Sequence, residues 1–98
     1  MEYQFIKVED KSRYKIVYFA RQNVANAMNI ALMEEFMDVL REVEKDKSKQ
    51  SIIITGEGNK YFCSGVDLKE RAEREEEARE YAVNLFKELL HYPKILIA

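Results

Sequence analysis

The sequence predicts an α/β protein in which sheet strands alternate with helices. Runs rich in β-branched and aromatic residues occur at residues 14–19, 52–54 and 95–97, which is the composition of buried strands. Between them lie two stretches in which apolar residues recur at helical spacing. The predicted order is strand, strand, helix, strand, helix, strand. A chain of 98 residues forms at most one modest domain with a small core.

The N-terminal part predicts a β-hairpin. Residues 3–8 alternate between apolar and polar side chains with a single slip, which indicates a short strand. Asp10, Lys11 and Ser12 then form a polar turn. Residues 14–19 follow as a better-buried partner strand. Two strands joined by a short turn are typical of an antiparallel hairpin.

The middle of the chain predicts a helix followed by an interior strand. Asn29 is a plausible N-cap, and the segment after it carries an apolar face at helical spacing. The residues of that face are Leu32, Phe36, Leu40 and Val43. The polar residues 45–50 end the helix, and the apolar run 52–54 indicates a strand covered on both faces inside the sheet.

A second helix is predicted after Asp67. Its first part is dense in charge, with Glu70 four residues before Arg74 and Glu75 four before Arg79, and this favours a solvated face over a site for an acidic partner. Its second part has apolar residues at helical spacing: Ala78, Ala82, Leu85, Phe86, Leu89 and Leu90. Pro93 ends this helix.

A last apolar strand begins at Ile95 and runs to the final residue. An apolar strand without a following turn is unusual at a natural C-terminus. We therefore expect residues 1–98 to be a partial domain that is cut within this strand.

Composition excludes several classes of function. A net charge of −2 and a pI near 5.5 argue against nucleic-acid binding. The single cysteine, Cys63, cannot form an internal disulfide, the N-terminus resembles no targeting peptide, and no apolar stretch approaches the roughly 20 residues of a membrane span. We expect a cytoplasmic protein without a membrane partner and without a metal site.

The glycine-rich run after the interior strand is the candidate chemical site. Gly56, Gly58 and Gly65 allow positive φ or a close backbone approach, so this loop can aim amides at a negative oxygen. It lacks Walker spacing and a complete dinucleotide fingerprint. The residues alone leave an anion-cradling loop and a plain strand-to-helix turn open. Cys63 is expected to be a buried small hydrophobe, and His91 a helix-end residue, rather than catalytic groups.

Three ordered motifs carry a resemblance to a known family. Residues 20–29, ARQNVANAMN, look like the segment N-R-P-x-A-x-N-A-[LM]. Residues 54–70, ITGEGNKYFCSGVDLKE, look like a strand, a glycine turn and the loop F-[CS]-[AS]-G-x-D-[IL]-x-E. Residues 92–98, YPKILIA, look like K-P-x-I-A-A. Together they resemble the crotonase superfamily, the enoyl-CoA hydratases and isomerases, which implies the N-terminal portion of a crotonase-like ββα spiral.

The resemblance implies acyl-CoA chemistry. In this family two backbone amides polarise the thioester carbonyl, and coenzyme A is part of the substrate rather than a covalently bound cofactor. By position in the second motif, the amide of Val66 is the first oxyanion donor. The residues implied to line the coenzyme A path are Asn23, Val24, Ala25, Ser64, Gly65, Asp67 and Leu68. A homo-oligomer, trimer or hexamer, is also implied.

The sequence departs from the family in ways that leave alternatives open. Gln22 stands where proline is frequent, and Asn23 where a basic residue often contacts the coenzyme A phosphate. The family's second oxyanion amide and its catalytic carboxylates follow the strand that begins at Ile95. We therefore expect this chain to be inactive alone. The alternative is a non-catalytic coenzyme A-binding or assembly module, and the resemblance does not choose between hydratase, isomerase and related reactions.

Overall fold

A mixed sheet organises the computed structural model, which describes residues 2–58, 60 and 62–98. Its strands are β1 (Ile6–Asp10), β2 (Tyr14–Phe19), β3 (Ser51–Gly56) and β4 (Ile95–Ile97). They lie in the order β1-β2-β3-β4, with β1 antiparallel to β2 and with β3 parallel to both β2 and β4. The predicted hairpin and the interior position of the third strand are confirmed.

Helices connect the parallel strands. They are α1 (Ile30–Lys45), α2 (Leu68–Glu73) and α3 (Glu75–Leu90), and a short 3-10 turn spans Gln22–Val24. α1 begins where the sequence predicted, because the side-chain oxygen of Asn29 accepts a hydrogen bond from the amide of Leu32 at 2.8 Å. α1 leads from β2 to β3, and α3 leads from the loop after β3 to β4.

The core lies between one face of the sheet and the helices. Strand register places Val17, Phe19, Ile52 and Ile54 on this face, and all four are buried. α1 buries its apolar stripe in the same cluster, and α3 adds Ala78 and Leu85. Ile53 is on the other face and is only half-buried. The expectation that β3 is covered on both faces is therefore wrong, since the buried isoleucines are those that face α1.

The first strand begins three residues later than predicted. The backbone amides of Gln4 and Phe5 each donate to the carboxylate of Glu35 at 2.8 Å, and the hydroxyl of Tyr3 donates to Asp38 at 2.6 Å. These bonds tie the segment to α1, so it does not pair with β2. β1 starts only at Ile6, where the ladder to Phe19 begins.

The predicted second helix is divided into α2 and α3. Arg74 interrupts it with φ −135° and ψ 50°, outside helical geometry, and its guanidinium pairs with Glu77. The expected side-chain pairing of Glu70 with Arg74 is replaced, because the carboxylate of Glu70 turns toward the start of α1. The assignment of Glu70 to a solvated helix face is therefore wrong.

The apolar positions of α3 are only partly buried. Ala78 and Leu85 are buried, whereas Phe86 is 52% exposed and Leu90 is 81% exposed. α3 contacts α1 along one side, and the residues turned away from α1 remain accessible to solvent. In β4, Ile95 is 64% exposed and Ile97 is 49% exposed. Apolar surface is thus concentrated on α3 and on the edge strand.

Replacing the N-cap of α1 tests the start of the central helix. We expect Asn29→Ala to lower the free energy of unfolding by about 1 kcal/mol, because the amide of Leu32 loses its acceptor. Urea unfolding followed by circular dichroism measures the change. Asn29→Ser restores a capping oxygen and should behave like the unchanged chain; equal losses in both variants would contradict the assignment.

The exposed edge strand predicts self-association. An apolar, unpaired edge is a template for a further strand, so we expect sedimentation velocity to show a concentration-dependent increase in mass. Ile97→Lys should reduce it, because a lysine on an edge opposes pairing. The matched control is Val83→Lys, which charges a similarly exposed position on α3. A clean monomer at high concentration, or an equal effect of both variants, would refute association through β4.

Candidate functional site

Two loops that are distant in sequence meet beside the carboxyl end of the sheet. The upstream loop (residues 20–29) leads into α1, and the glycine loop (residues 57–67) leads into α2. Met28 and Val66 form a parallel bridge, in which the amide of Met28 donates to Gly65 O and the amide of Asp67 donates to Met28 O, each at 2.8 Å. The amide of Ser64 also donates to Ala25 O at 3.1 Å. The two motifs found in the sequence are therefore joined by backbone hydrogen bonds.

The upstream loop turns sharply around Asn26. Ala25 and Asn26 have φ of 53° and 56°, in the left-handed region. Asn26 is 1% exposed, and its Oδ1 accepts from the amide of Arg21 at 2.9 Å. Its Nδ2 donates to Glu57 O at 3.1 Å. The buried amide of Asn26 therefore closes its own turn and also ties this loop to the start of the glycine loop.

Two glycines shape the glycine loop. Gly58 and Gly65 have φ of +88° and +107°, which side chains rarely adopt. A Cβ added to Gly58 would also lie 2.5 Å from Oε1 of Gln22, so this turn packs directly on the upstream loop. Gly56 ends β3. Asn59 and Tyr61, which the second sequence motif also contains, lie outside the described residues.

The amide of Val66 is the chemically distinctive group of the site. The amides on either side of it are engaged, since Gly65 N donates to Cys63 Sγ at 3.4 Å and Asp67 N donates to Met28 O. Within residues 2–58, 60 and 62–98, no hydrogen-bond acceptor is found for Val66 N. A backbone donor without a partner at a fixed bridge is suited to a negative oxygen.

Asp67 holds the loop in place. Its Oδ1 accepts from the amides of Lys69 and Glu70 at 3.0 and 3.1 Å and so caps α2. Its Oδ2 accepts from Nη1 of Arg21 at 3.0 Å, and both side chains of this ion pair are only 15% exposed. The bond from the Glu70 amide, followed by that from Arg21, holds the pKa of Asp67 below its ordinary value. Asp67 is thus an ionised structural anchor.

Two residues that the sequence did not predict at the site complete the junction. The carboxylate of Glu70 accepts a hydrogen bond from the amide of Ile30 at 2.5 Å, at the N-terminus of α1. Arg21 donates from Nη1 to Ala27 O at 2.7 Å in addition to its bond to Asp67. Arg21 stands in the first motif and Glu70 in the second, but only the fold shows that Arg21 reaches Asp67 and that Glu70 reaches Ile30, directly after the first motif.

An apolar groove opens beside the bridge. Its volume is about 360 Å³, and Phe62 stacks on Phe19 in its wall with ring centroids 5.7 Å apart. Cys63 also lines it and is half-buried, somewhat less enclosed than the sequence suggested. The remaining lining residues are Met28, Phe36, Ile54, Leu85, Phe86, Leu89, Leu96 and Ala98. The groove is built from five elements and loops, so no local sequence pattern signals it.

The sequence-predicted coenzyme A residues lie in the two loops and at the start of α2. Asn23 and Ser64 are exposed, and Val24 is 37% exposed. Ala25 and Gly65 are half-buried, and the carbonyls of both are already used by the other loop. Leu68 begins α2. Backbone hydrogen bonds join Ala25 to Ser64 and join both Gly65 and Asp67 to Met28, so these four predicted residues lie where the loops meet.

The described residues form neither a metal-ligand cluster nor a membrane-spanning helix. In the part of the chain that the structure describes, no group of three or more His, Cys, Asp or Glu side chains is placed to hold a metal ion. The helices formed by the described residues are all too short or too polar to cross a membrane.

The fold and the joined loops define a crotonase-type α/β protein, and comparison with known proteins agrees. Residues 11–98 match the family described as enoyl-CoA hydratase/isomerase. The enoyl-CoA hydratase of Bacillus anthracis, a solved structure, superposes with a TM-score of 0.88 at 28% identity, covering 95% of this chain and 38% of that one. The chain therefore belongs to the enoyl-CoA hydratase/isomerase family.

Curated relatives agree over a shorter span. The probable enoyl-CoA hydratase of Mycobacterium tuberculosis is 37% identical over 73 residues, which are 74% of this chain and 28% of that protein. The crotonyl-CoA hydratase of Syntrophomonas wolfei is 32% identical over 68 residues, or 69% of this chain and 26% of that protein. The 98 residues thus correspond to only part of the length of these relatives.

The ion pair of Asp67 predicts a specific dependence of stability on pH. The lowered pKa means that ionised Asp67 stabilises the fold above its unfolded pKa of about 3.9, and that this contribution is lost as pH falls through the folded pKa. Asp67→Asn should therefore be less stable than the unchanged chain at neutral pH, with the difference shrinking in acid. Urea unfolding across this range measures it.

A carboxylate away from the site provides the control for this comparison. Glu44→Gln removes an exposed acid of α1 and should give a stability curve that runs close to that of the unchanged chain at neutral pH. A constant stability difference between Asp67→Asn and the unchanged chain at all pH values would show that ionised Asp67 does not stabilise the junction.

Proposed function

We propose that this chain contributes to an acyl-CoA site in which the backbone amide of Val66 donates to the thioester carbonyl oxygen, as in enoyl-CoA hydration or isomerisation. The observation that carries the proposal is the unengaged Val66 amide, fixed by the bridge to Met28 beside an apolar groove. Membership of the enoyl-CoA hydratase/isomerase family supports the same chemistry.

The proposed chemistry is stabilisation of an enolate-like oxyanion. Addition to an enoyl thioester, or removal of a proton next to its carbonyl, places negative charge on the carbonyl oxygen in the transition state. A donor that is already oriented stabilises that charge without reorganising, and the loss of one such donor typically costs on the order of a hundredfold in rate. The backbone of Val66 supplies the donor, so its side chain is free to vary.

The groove is proposed to hold the acyl part of the substrate. Its lining is almost entirely apolar, and Met28 belongs both to the groove and to the bridge that fixes Val66. A thioester carbonyl at the Val66 amide would therefore place an attached hydrocarbon chain against phenylalanine and methionine side chains. Burial of that chain gains about 0.8 kcal/mol per CH₂ group.

Coenzyme A is proposed to run along the exposed rim of the two loops. Asn23, Val24 and Ser64 offer side chains there, and Leu68 offers backbone. Ala25, Gly65 and Asp67 are engaged in bonds within the protein, so they would position this rim rather than bind through those groups. The proposal requires no covalently bound cofactor.

Replacing the N–H group of Val66 with an oxygen atom tests the donor. A chain of 98 residues is accessible to chemical synthesis, which allows the Gly65–Val66 amide to be replaced by an ester with the same side chain. Binding of crotonyl-CoA carrying a ¹³C-labelled thioester carbonyl should lower the carbonyl stretching frequency in the unchanged chain, because the donor polarises the bond. The ester variant should show little of this shift.

Val66→Ala is the matched control, because it alters the side chain and keeps the amide. It should retain the frequency shift of the unchanged chain. An ester variant that polarises the carbonyl as strongly as Val66→Ala, or an unchanged chain that leaves the frequency at its value in water, would contradict the proposal.

We further infer that the 98-residue chain does not hydrate crotonyl-CoA by itself. General acid-base catalysis needs a carboxylate that is directed at the substrate, and both acids beside the bridge are directed at groups of the protein. Asp67 caps α2 and pairs with Arg21, while Glu70 binds the start of α1. Loss of the enoyl thioester absorbance should not exceed the rate without protein. Turnover that Gly65→Pro abolishes would refute this inference.

A further inference from the structure

We propose that Arg21 is a positioning residue for the oxyanion donor. Its guanidinium binds residues on both sides of the Met28–Val66 bridge and thereby sets the direction of the Val66 amide. This inference rests on the proposed function of Val66. It assigns Arg21 no contact with substrate.

The contacts of Arg21 lie on both sides of the bridge. Nη1 donates to Ala27 O at 2.7 Å and to Asp67 Oδ2 at 3.0 Å. Ala27 precedes Met28, and Asp67 follows Val66, so one guanidinium nitrogen links the neighbour of each bridged residue. The bridge itself consists of two backbone hydrogen bonds, from Met28 N and Asp67 N. The bond from Ser64 N to Ala25 O also joins the two loops, and Arg21 adds a side-chain connection at the bridge itself.

The surroundings hold Arg21 in this position. Its guanidinium carbon lies 5.6 Å from the centroid of the Phe5 ring, and its backbone amide donates to Asn26 Oδ1 at 2.9 Å. The side chain is only 15% exposed, so solvent weakens its bond to Asp67 less than that of a surface pair. The Arg41–Glu88 pair provides a contrast, because the Arg41 side chain is 62% exposed.

The chemistry of the contacts favours arginine over lysine. One side chain must donate to the Ala27 carbonyl and to the Asp67 carboxylate while it lies over the Phe5 ring. A planar guanidinium can make all three contacts. A lysine would keep the charge but would present a single, strongly hydrated ammonium. We expect Arg21→Lys to retain part of the effect and Arg21→Gln to lose most of it.

Hydrogen exchange of the protein without ligand tests directly whether Arg21 stabilises the Met28–Val66 bridge. In Arg21→Gln, the amides of Met28 and Asp67 should exchange at least about tenfold faster, as expected for the loss of a charge-assisted hydrogen bond. The amides of Val39 and Leu40 in the middle of α1 should be unaffected. Arg41→Gln is the matched control and should change none of them.

A merely structural role predicts a different exchange pattern. If Arg21 only stabilised the whole fold, all slow amides would accelerate together, including those of Val39 and Leu40. Uniform acceleration, or unchanged exchange at Met28 and Asp67, overturns the inference whether or not the protein binds a thioester.

The carbonyl stretch of bound crotonyl-CoA tests the consequence for chemistry. Arg21→Gln should lose most of the shift seen with the unchanged chain, while the dissociation constant changes by less than about threefold, because polarisation and not uniform binding is affected. Arg21→Lys should be intermediate. A full shift in Arg21→Gln overturns the inference. No shift in the unchanged chain refutes the proposed function itself, while the exchange experiment still decides whether Arg21 holds the bridge.

Discussion

The bridge between Met28 and Val66 is the interaction on which the site depends. It joins loops that enter different helices, and it does so with backbone hydrogen bonds that fix the peptide planes on both sides. Gly65 O accepts from the amide of Met28, and in a trans peptide the following N–H points the opposite way, so the amide of Val66 points away from Met28. The same bridge brings Met28 to the wall of the apolar groove. Donor and groove are therefore two consequences of one contact.

The charged residues at this junction stabilise the loops and the helix ends, and the group proposed to act on the substrate is a backbone amide. Asp67 caps α2 and pairs with Arg21, and Glu70 satisfies an amide at the start of α1. Each carboxylate compensates groups that would otherwise be left without partners at a helix end. The bonds to Asp67 lower the pKa of its carboxyl group and fix its orientation, which suits a scaffold better than proton transfer.

Sequence reasoning was accurate for elements with strong periodicity and weaker where distant residues intervene. The hairpin, α1 with its Asn29 cap and the interior strand β3 follow from local patterns, and all are present. The start of β1 was predicted too early, because the amides of Gln4 and Phe5 donate to the carboxylate of Glu35 in α1. The break at Arg74 also carries no local signal, since neither glycine nor proline occurs there.

The sequence by itself determined the α/β order, the glycine-rich loop and the motif that identifies the family, because each depends on residues close together in the chain. Only the tertiary structure decided that Arg21 reaches Asp67, that Glu70 caps α1 and that the Val66 amide lacks a partner among the described residues. The physical reason is that a hydrogen bond requires two groups to meet in space. The local sequence pattern shows which donor or acceptor each residue carries, but the fold determines which partner it meets.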